Sequence, residues 1–272
     1  MNRANPSSGE LQDVSAEADV PRDFVGSVAH GLAVLRSFDR DHRQMTLSEV
    51  SARTGMTRAG ARRYLLTLAH LGYVEQNERL FRLTPKVLEL GYAFMATLPL
   101  AELAQPYLDS MTKAMGETTA IAVLENDSIV HLARAMPQRQ LAPIVTIGRH
   151  FSALFNSTGR MLIACQDDAA IDAWLAKCKA ERLTQWTITD KKKLRAEIAL
   201  ARKNQYAIVN QESEEGVCSL AVPVKNRRGE AVAAVNVITN VATVSRKELL
   251  EKFLPMLREG ADQLAVAISA QV

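Results

Sequence analysis

Nine arginines stand between Phe24 and Pro85, at Arg36, Arg40, Arg43, Arg53, Arg58, Arg62, Arg63, Arg79 and Arg82. Only five acids share that stretch: Asp39, Asp41, Glu49, Glu75 and Glu78. The local excess of positive charge is therefore larger than the +3 of the whole 272-residue chain. Guanidinium groups fork onto phosphates and onto the edge of guanine, so this segment points to nucleic acid. A second group, Ser157-Thr158-Gly159-Arg160, opens a predicted helix. Its free backbone N–H groups and two hydroxyls suit a carboxylate. The alternative is plain N-capping, with Arg160 in a structural ion pair. Catalytic chemistry finds no support. There is no GxSxG, HExxH or phosphate-binding loop, and His131 and His150 adjoin no nucleophile motif. Cys165, Cys178 and Cys218 are odd in number, far apart and without a CxxC pair, so neither a zinc site nor a disulfide framework is expected. No catalytic residue, metal or cofactor is assigned.

The arginines need elements that present them. Leu32, Val34, Leu35 and Phe38 are spaced for a helix over Val28–Phe38. Thr46-Leu47-Ser48-Glu49 has the form of a capping box and starts a short helix to about Arg53. Gly55 ends it, since a glycine tolerates the positive φ of a turn. Thr57 caps a third helix, which runs to Leu71 with Gly72 beyond it. Tyr73–Gln76 and Leu80–Leu83 then form a hairpin around Asn77-Glu78-Arg79. Helix, helix, turn, helix, hairpin is the order of a winged helix-turn-helix, here residues 24–84.

In the third helix Ala61, Leu65 and Leu68 fall on one face and should pack inward. Ala59, Arg62 and Arg63 point elsewhere, toward DNA, and small Ala59 and Gly60 permit close approach. The expected DNA contacts are Thr57, Arg58, Ala59, Arg62 and Arg63, with Arg79 and Arg82 on the wing. The bland alternative is a solvated basic face.

Residues 1–23 read as a polar, disordered tail. Thr84-Pro85 begins a linker helix over 85–98. Residues 99–272 carry a helix with Leu103, Tyr107, Leu108 and Met111. Strands are expected at Thr118–Leu124, Ile129–Ala133 and Ile144–Ile147. Helices follow at 157–165, 168–178 and 190–203, then strands at Tyr206–Asn210, Val217–Val224 and Ala231–Ile238, and a last helix from Ser245 to Ser269. The fold class is α+β, two domains, the second with a largely antiparallel sheet.

The chain resembles the IclR family of bacterial transcriptional regulators from about Phe24 to its end. In the first domain the resemblance rests on Ser27-Val28-Ala29-His30-Gly31-Leu32-Ala33-Val34-Leu35, Arg62-Arg63-Tyr64-Leu65-Leu66-Thr67-Leu68, Leu71-Gly72-Tyr73-Val74 and Leu83-Thr84-Pro85. In the second it rests on Asn156-Ser157-Thr158-Gly159-Arg160 and Leu220-Ala221-Val222-Pro223-Val224. It implies an N-terminal winged helix, a C-terminal GAF-like effector-binding domain, and a homodimer or dimer of dimers. Phe24-Val25, Arg36-Ser37-Phe38-Asp39, Arg62-Arg63 and Leu88-Glu89-Leu90-Gly91-Tyr92 are similar to the branch that governs protocatechuate, 4-hydroxybenzoate and β-ketoadipate pathways. The resemblance also implies effector contacts at Ser157, Thr158 and Gly159 and on facing strands that carry Val217, Ser219, Asn236 and Ile238. Ser219 and Asn236 are polar within apolar runs; the alternative is that they satisfy one another in the core. A flat wall for an aromatic ring is available in Leu132, Leu141, Ile147, Phe151, Leu154 and Phe155, of which Leu132 and Phe155 are the chosen candidates. Glu212, Glu214 and Glu215 read as a solvated loop.

The expectation is a regulator that binds a palindromic double-stranded DNA operator under control of a small carboxylate, an aromatic-acid catabolite. The alternatives are a keto-acid effector such as glyoxylate or pyruvate, a ligand-insensitive architectural DNA-binding protein, and an enzyme with a fused winged helix. No apolar run reaches the roughly 18–20 residues that span a bilayer, and the N-terminus lacks a signal-peptide core, so a cytoplasmic protein is expected.

Overall fold

The structure is a computed structural model that describes residues 21–91, 100–138 and 147–270. These residues fall into two compact units on either side of residue 94.

The first unit opens with α1 (Gly26–Arg36), β1 (Gln44–Thr46) and α2 (Leu47–Thr54). The capping box forms: Glu49 N donates to Thr46 Oγ1, and Thr46 N donates to the Glu49 carboxylate at 2.7 Å. Gly55 takes φ +69°, the left-handed turn that passes the chain to α3 (Arg58–His70). Thr57 caps α3 by accepting from Gly60 N. The wing is β2 (Val74–Asn77) and β3 (Leu80–Leu83), with Glu78 at positive φ in the turn. Sequence reasoning missed β1, which pairs antiparallel with β3 and makes the wing sheet three-stranded, β1-β3-β2. Val34, Met45, Val50, Ala61, Leu65 and Phe81 form the core. After Thr84 the chain makes a 3-10 turn, Pro85–Val87, and is helical at 88–91; the rest of the expected linker helix lies outside the described residues.

The second unit has α4 (Leu100–Met115), β4 (Thr118–Glu125), β5 (Ser128–Ala135), β6 (His150–Ser152), α5 (Ser157–Ala164), α6 (Asp168–Lys177) and α7 (Lys191–Asn204). β7 (Ala207–Asn210), β8 (Val217–Lys225) and β9 (Ala231–Asn240) follow. The chain then makes a helical turn at Arg246–Glu248, a π-helical turn at Leu249–Phe253 and α8 (Leu254–Ala270). All six strands form one antiparallel sheet in the order β6-β5-β4-β9-β8-β7. One face packs on α4 and α8 through Leu108, Met111, Leu257 and Leu264. The other packs on α5, α6 and α7 through Ile163, Ile171, Leu194 and Ile198. Of the expected strand Ile144–Ile147, residues 144–146 and Leu141 lie outside the described residues and Ile147 sits in a turn. The edge strand beside β5 among the described residues is β6. No helix among the described residues is long and apolar enough to cross a membrane.

β4 and β5 do not run in simple alternation. Ile121 pairs with Ala133, but Ala122 pairs with His131, so Leu132 is an extra residue, a β-bulge. Before the bulge His131 shares a face with Ala122; after it Arg134 shares a face with Ala120. Both therefore emerge on the α5 side, although three residues apart in an unbroken strand would put them on opposite faces.

Candidate nucleic-acid interface and effector site

On α3 the apolar stripe Ala61, Leu65 and Leu68 is buried and Arg58, Ala59, Arg62 and Arg63 are exposed. Among the described residues none of Arg58, Arg62, Arg63 and Arg79 has an ion-pair or hydrogen-bond partner, so these guanidinium groups are open to a ligand. The Thr57 oxygen already accepts from the helix, which leaves its hydroxyl proton for a phosphate. Arg82 differs from the free wing cation expected of it. Glu75 sits opposite it in the β2–β3 register and holds it in an ion pair. Arg53 is structural: it donates to Ser37 O at 2.9 Å and pairs with Asp39, fastening α2 to the end of α1.

The second site is built on the inner face of the large sheet. Register brings Thr118, Ala120 and Ala122 of β4 alongside Ile238, Asn236 and Ala234 of β9, and Asn236 alongside Ala221 of β8. Val217 and Ser219 share this face, and Val217 packs with Ala120 and Ile238. The short helix α5 lies across β4, β8 and β9, with every residue of it buried. The floor is thus largely alanine, small side chains that let α5 approach the strands.

Polar groups gather here without partners. Thr118 Oγ1, both ring nitrogens of His131, Ser157 Oγ, and both amide atoms of Asn236 are buried with no hydrogen-bond partner among the described residues. Asn236 is fully buried and His131 is 2% exposed. Burying an unpaired polar group costs about 1–3 kcal/mol, so a cluster of them marks a place where a ligand supplies the partners. Burial drives the His131 pKa down to about 4, so the ring is neutral at ordinary pH. Arg134, half-buried at the margin of the same face, brings a positive charge.

Several expectations shift in detail. Ser219 and Asn236 do not satisfy each other: Ser219 lies opposite Ile238 and the Asn236 amide has no partner. Thr158 is occupied, since its hydroxyl donates at 2.7 Å to Asn156, the true cap of α5. Gly159 acts by packing: a Cβ there would lie 2.4 Å from the Cα and carbonyl oxygen of Ala153. Gly159→Ala is therefore expected to cost about 1–3 kcal/mol in denaturant-induced unfolding, and wild-type stability in that variant would show that the helix has slack. Leu132 is not on this face at all; next to His131 in the strand, it points to the other side and lies in the core beneath α4 and α8. Phe155 is buried on the α5 side with Leu154 and half-buried Phe151.

Arg160 forms the structural ion pair. Its guanidinium is bidentate to Glu212 at 2.8 and 2.9 Å and also donates to Leu154 O. Glu212 is buried at 4% exposure, not solvated as its loop composition suggests. The thiols are buried or half-buried, and burial pushes Cys218 up to about 11, so it is no nucleophile. Thr118, His131 and Arg134 were missed as site residues. A polar group inside an apolar strand was the available signal for the first two; for Arg134 the bulge hides it.

Comparison with known proteins finds matches for both units. The pattern described as "IclR helix-turn-helix domain" matches residues 27–78, and "Bacterial transcriptional regulator IclR C-terminal" matches 92–266. The chain is 39% identical over 236 residues to the Pca regulon regulatory protein of Pseudomonas putida, covering 86% of this chain and 81% of that one. It is 32% identical over 255 residues to the p-hydroxybenzoate hydroxylase transcriptional activator of Acinetobacter baylyi, covering 92% and 94%. Among solved structures, a double mutant of the PobR inducer-binding domain from Acinetobacter in complex with 3-hydroxybenzoic acid is similar at 31% identity. Its TM-score is 0.57, over 60% of this chain and 96% of that one.

Proposed function

Because the chain belongs to the IclR family of bacterial transcriptional regulators, we propose that it controls an aromatic-catabolism operon and that a small aromatic carboxylic acid sets its action on DNA. The DNA reader is α3 with the wing. Arg58, Arg62 and Arg63 take phosphates and guanine edges of a palindromic double-stranded operator, and Thr57, Ala59, Arg79 and Arg82 line the same approach. A homodimer or dimer of dimers presents two such helices. The exposed apolar side chains Val25, Val28 and Leu32 of the α1 region, with Leu88 and Leu90, support self-association. The protein is not an enzyme; its relatives are named as regulators and activators. It works in the cytoplasm, where its operator is.

One observation carries the effector reading: a charged arginine and six unpaired buried polar atoms converge on one alanine-floored face beside α5. Arg134 and the Ser157 hydroxyl hold the carboxylate, Asn236 and Thr118 complete its partners, Val217 and Ile238 close that end of the site, and Phe155 walls the ring. An architectural protein without a ligand has no use for such a cluster. Acid binding shifts the population of DNA-competent arrangements.

Thermal unfolding with a panel of benzoates and of keto acids tests this. An aromatic acid at 100 times its Kd is expected to add about 2.7 kcal/mol of stability, and Arg134→Gln to abolish that gain. Stabilisation by glyoxylate or pyruvate alone, or by no acid, overturns the reading.

A further inference from the structure

We propose that His131 is the specificity-determining residue of the effector site, reading a hydroxyl on the ring at the end opposite the carboxylate; this rests on the aromatic-acid reading above. The bulge places His131 beside Ala122 and Arg134 beside Ala120, on the same face of the sheet. Ala120 and Ala122 are two residues apart along β4, which is about 7 Å. Because both side chains stand on one face, a para-substituted benzene ring laid along β4 presents one polar group to each. Arg134, at the margin, takes the carboxylate. His131, enclosed and with both ring nitrogens unpartnered, faces the other end. Phe151 packs T-shaped against its ring, 5.4 Å between centroids. A neutral imidazole has one donor and one acceptor, which complements a phenolic hydroxyl on both counts. A carboxylate at that end would meet a neutral imidazole, with Arg149 lying over the Phe151 ring at 5.6 Å rather than against the imidazole, so the two ends are not interchangeable.

Calorimetric titration of the full chain with 4-hydroxybenzoate and 4-methylbenzoate tests this, since the two acids have nearly the same shape. The wild type is expected to prefer the hydroxyl by about tenfold or more. His131→Leu should bind both acids alike, with the affinity for 4-methylbenzoate kept. It removes an unpaired polar group, so the ligand-free variant should unfold no earlier than wild type. His131→Asn, which retains a donor and an acceptor, should restore part of the preference. The wild-type preference should also hold between about pH 6 and 8, because His131 is neutral throughout. Equal affinity of the wild type for the two acids, or a preference that survives His131→Leu, overturns the role of His131 and leaves the aromatic reading standing. Failure of every acid to bind overturns both.

Discussion

Replacing Arg62 and Arg63 together by alanine is expected to lower affinity for operator DNA about a hundredfold, without loss of fold. The magnitude follows from what the side chains can do: one bidentate arginine–guanine pair is worth about 1–3 kcal/mol. A phosphate contact adds affinity that salt removes, at about 0.9 in the log–log slope per contact. Both side chains are exposed and partnerless among the described residues, and the α3 core stripe does not include them. Helix propensity changes little, because arginine and alanine both favour helices. The measurement is a fluorescence-anisotropy titration on the operator at several salt concentrations, with a melting curve beside it. Two results can be separated. If the loss is the same on operator and random DNA and the salt slope flattens, the pair grips phosphate. If the loss is confined to the operator, at least one arginine reads bases. Undiminished binding by the double variant would remove α3 as the recognition helix. Arg82→Ala should matter less, since Glu75 already holds that cation.

The second large effect belongs to Glu212. Removing its carboxylate leaves the Arg160 guanidinium buried and unpaired, and breaking such a pair costs about 3–5 kcal/mol. Both partners are nearly fully enclosed, at 2% and 5% side-chain exposure, so solvent screening does not rescue them. Glu212→Ala is thus expected to shift the denaturant midpoint of the second unit strongly and to raise the Kd for effector. Arg160 lies one turn below Ser157 and fixes α5 to the loop before it through Leu154 O. Replacing both partners with apolar residues, Arg160→Met with Glu212→Leu, should recover much of the stability. It should not recover effector affinity to the same degree if the pair also aims the helix. A cost under about 1 kcal/mol for Glu212→Ala, the range of exposed ion pairs, would show that the guanidinium finds water.

Local chemistry made the DNA-binding unit legible in the sequence. A threonine three residues before a glutamate, a glycine at a left-handed turn and a threonine before a basic helix each act within a few residues. What was missed depends on distant partners. β1 is three residues long, too short to show a period, and exists because β3 offers it an edge. Arg160 and Glu212 are fifty-two residues apart, so composition alone left Glu212 looking like a solvated loop acid. The effector site was half visible. Ser157 and Asn236 stand out as polar groups near apolar runs, whereas His131 and Arg134 look as if they belong to opposite faces of a strand.

The bulge at Leu132 has a consequence for how such a pocket changes over generations. In a regular strand a substitution can alter only the residue it touches, and each position keeps its side of the sheet. A bulge lets the strand carry one residue more than its partner while every later position keeps the side its pairing gives it, so half-buried Arg134 stays on the ligand side with Leu132 in the core. Loss of one codon here would leave His131 and Arg134 two residues apart in an unbroken strand, still on one face. The pocket on this scaffold is therefore tolerant of a one-residue length difference in β5, and positional comparison of relatives that ignores it will align residues that never share a pocket.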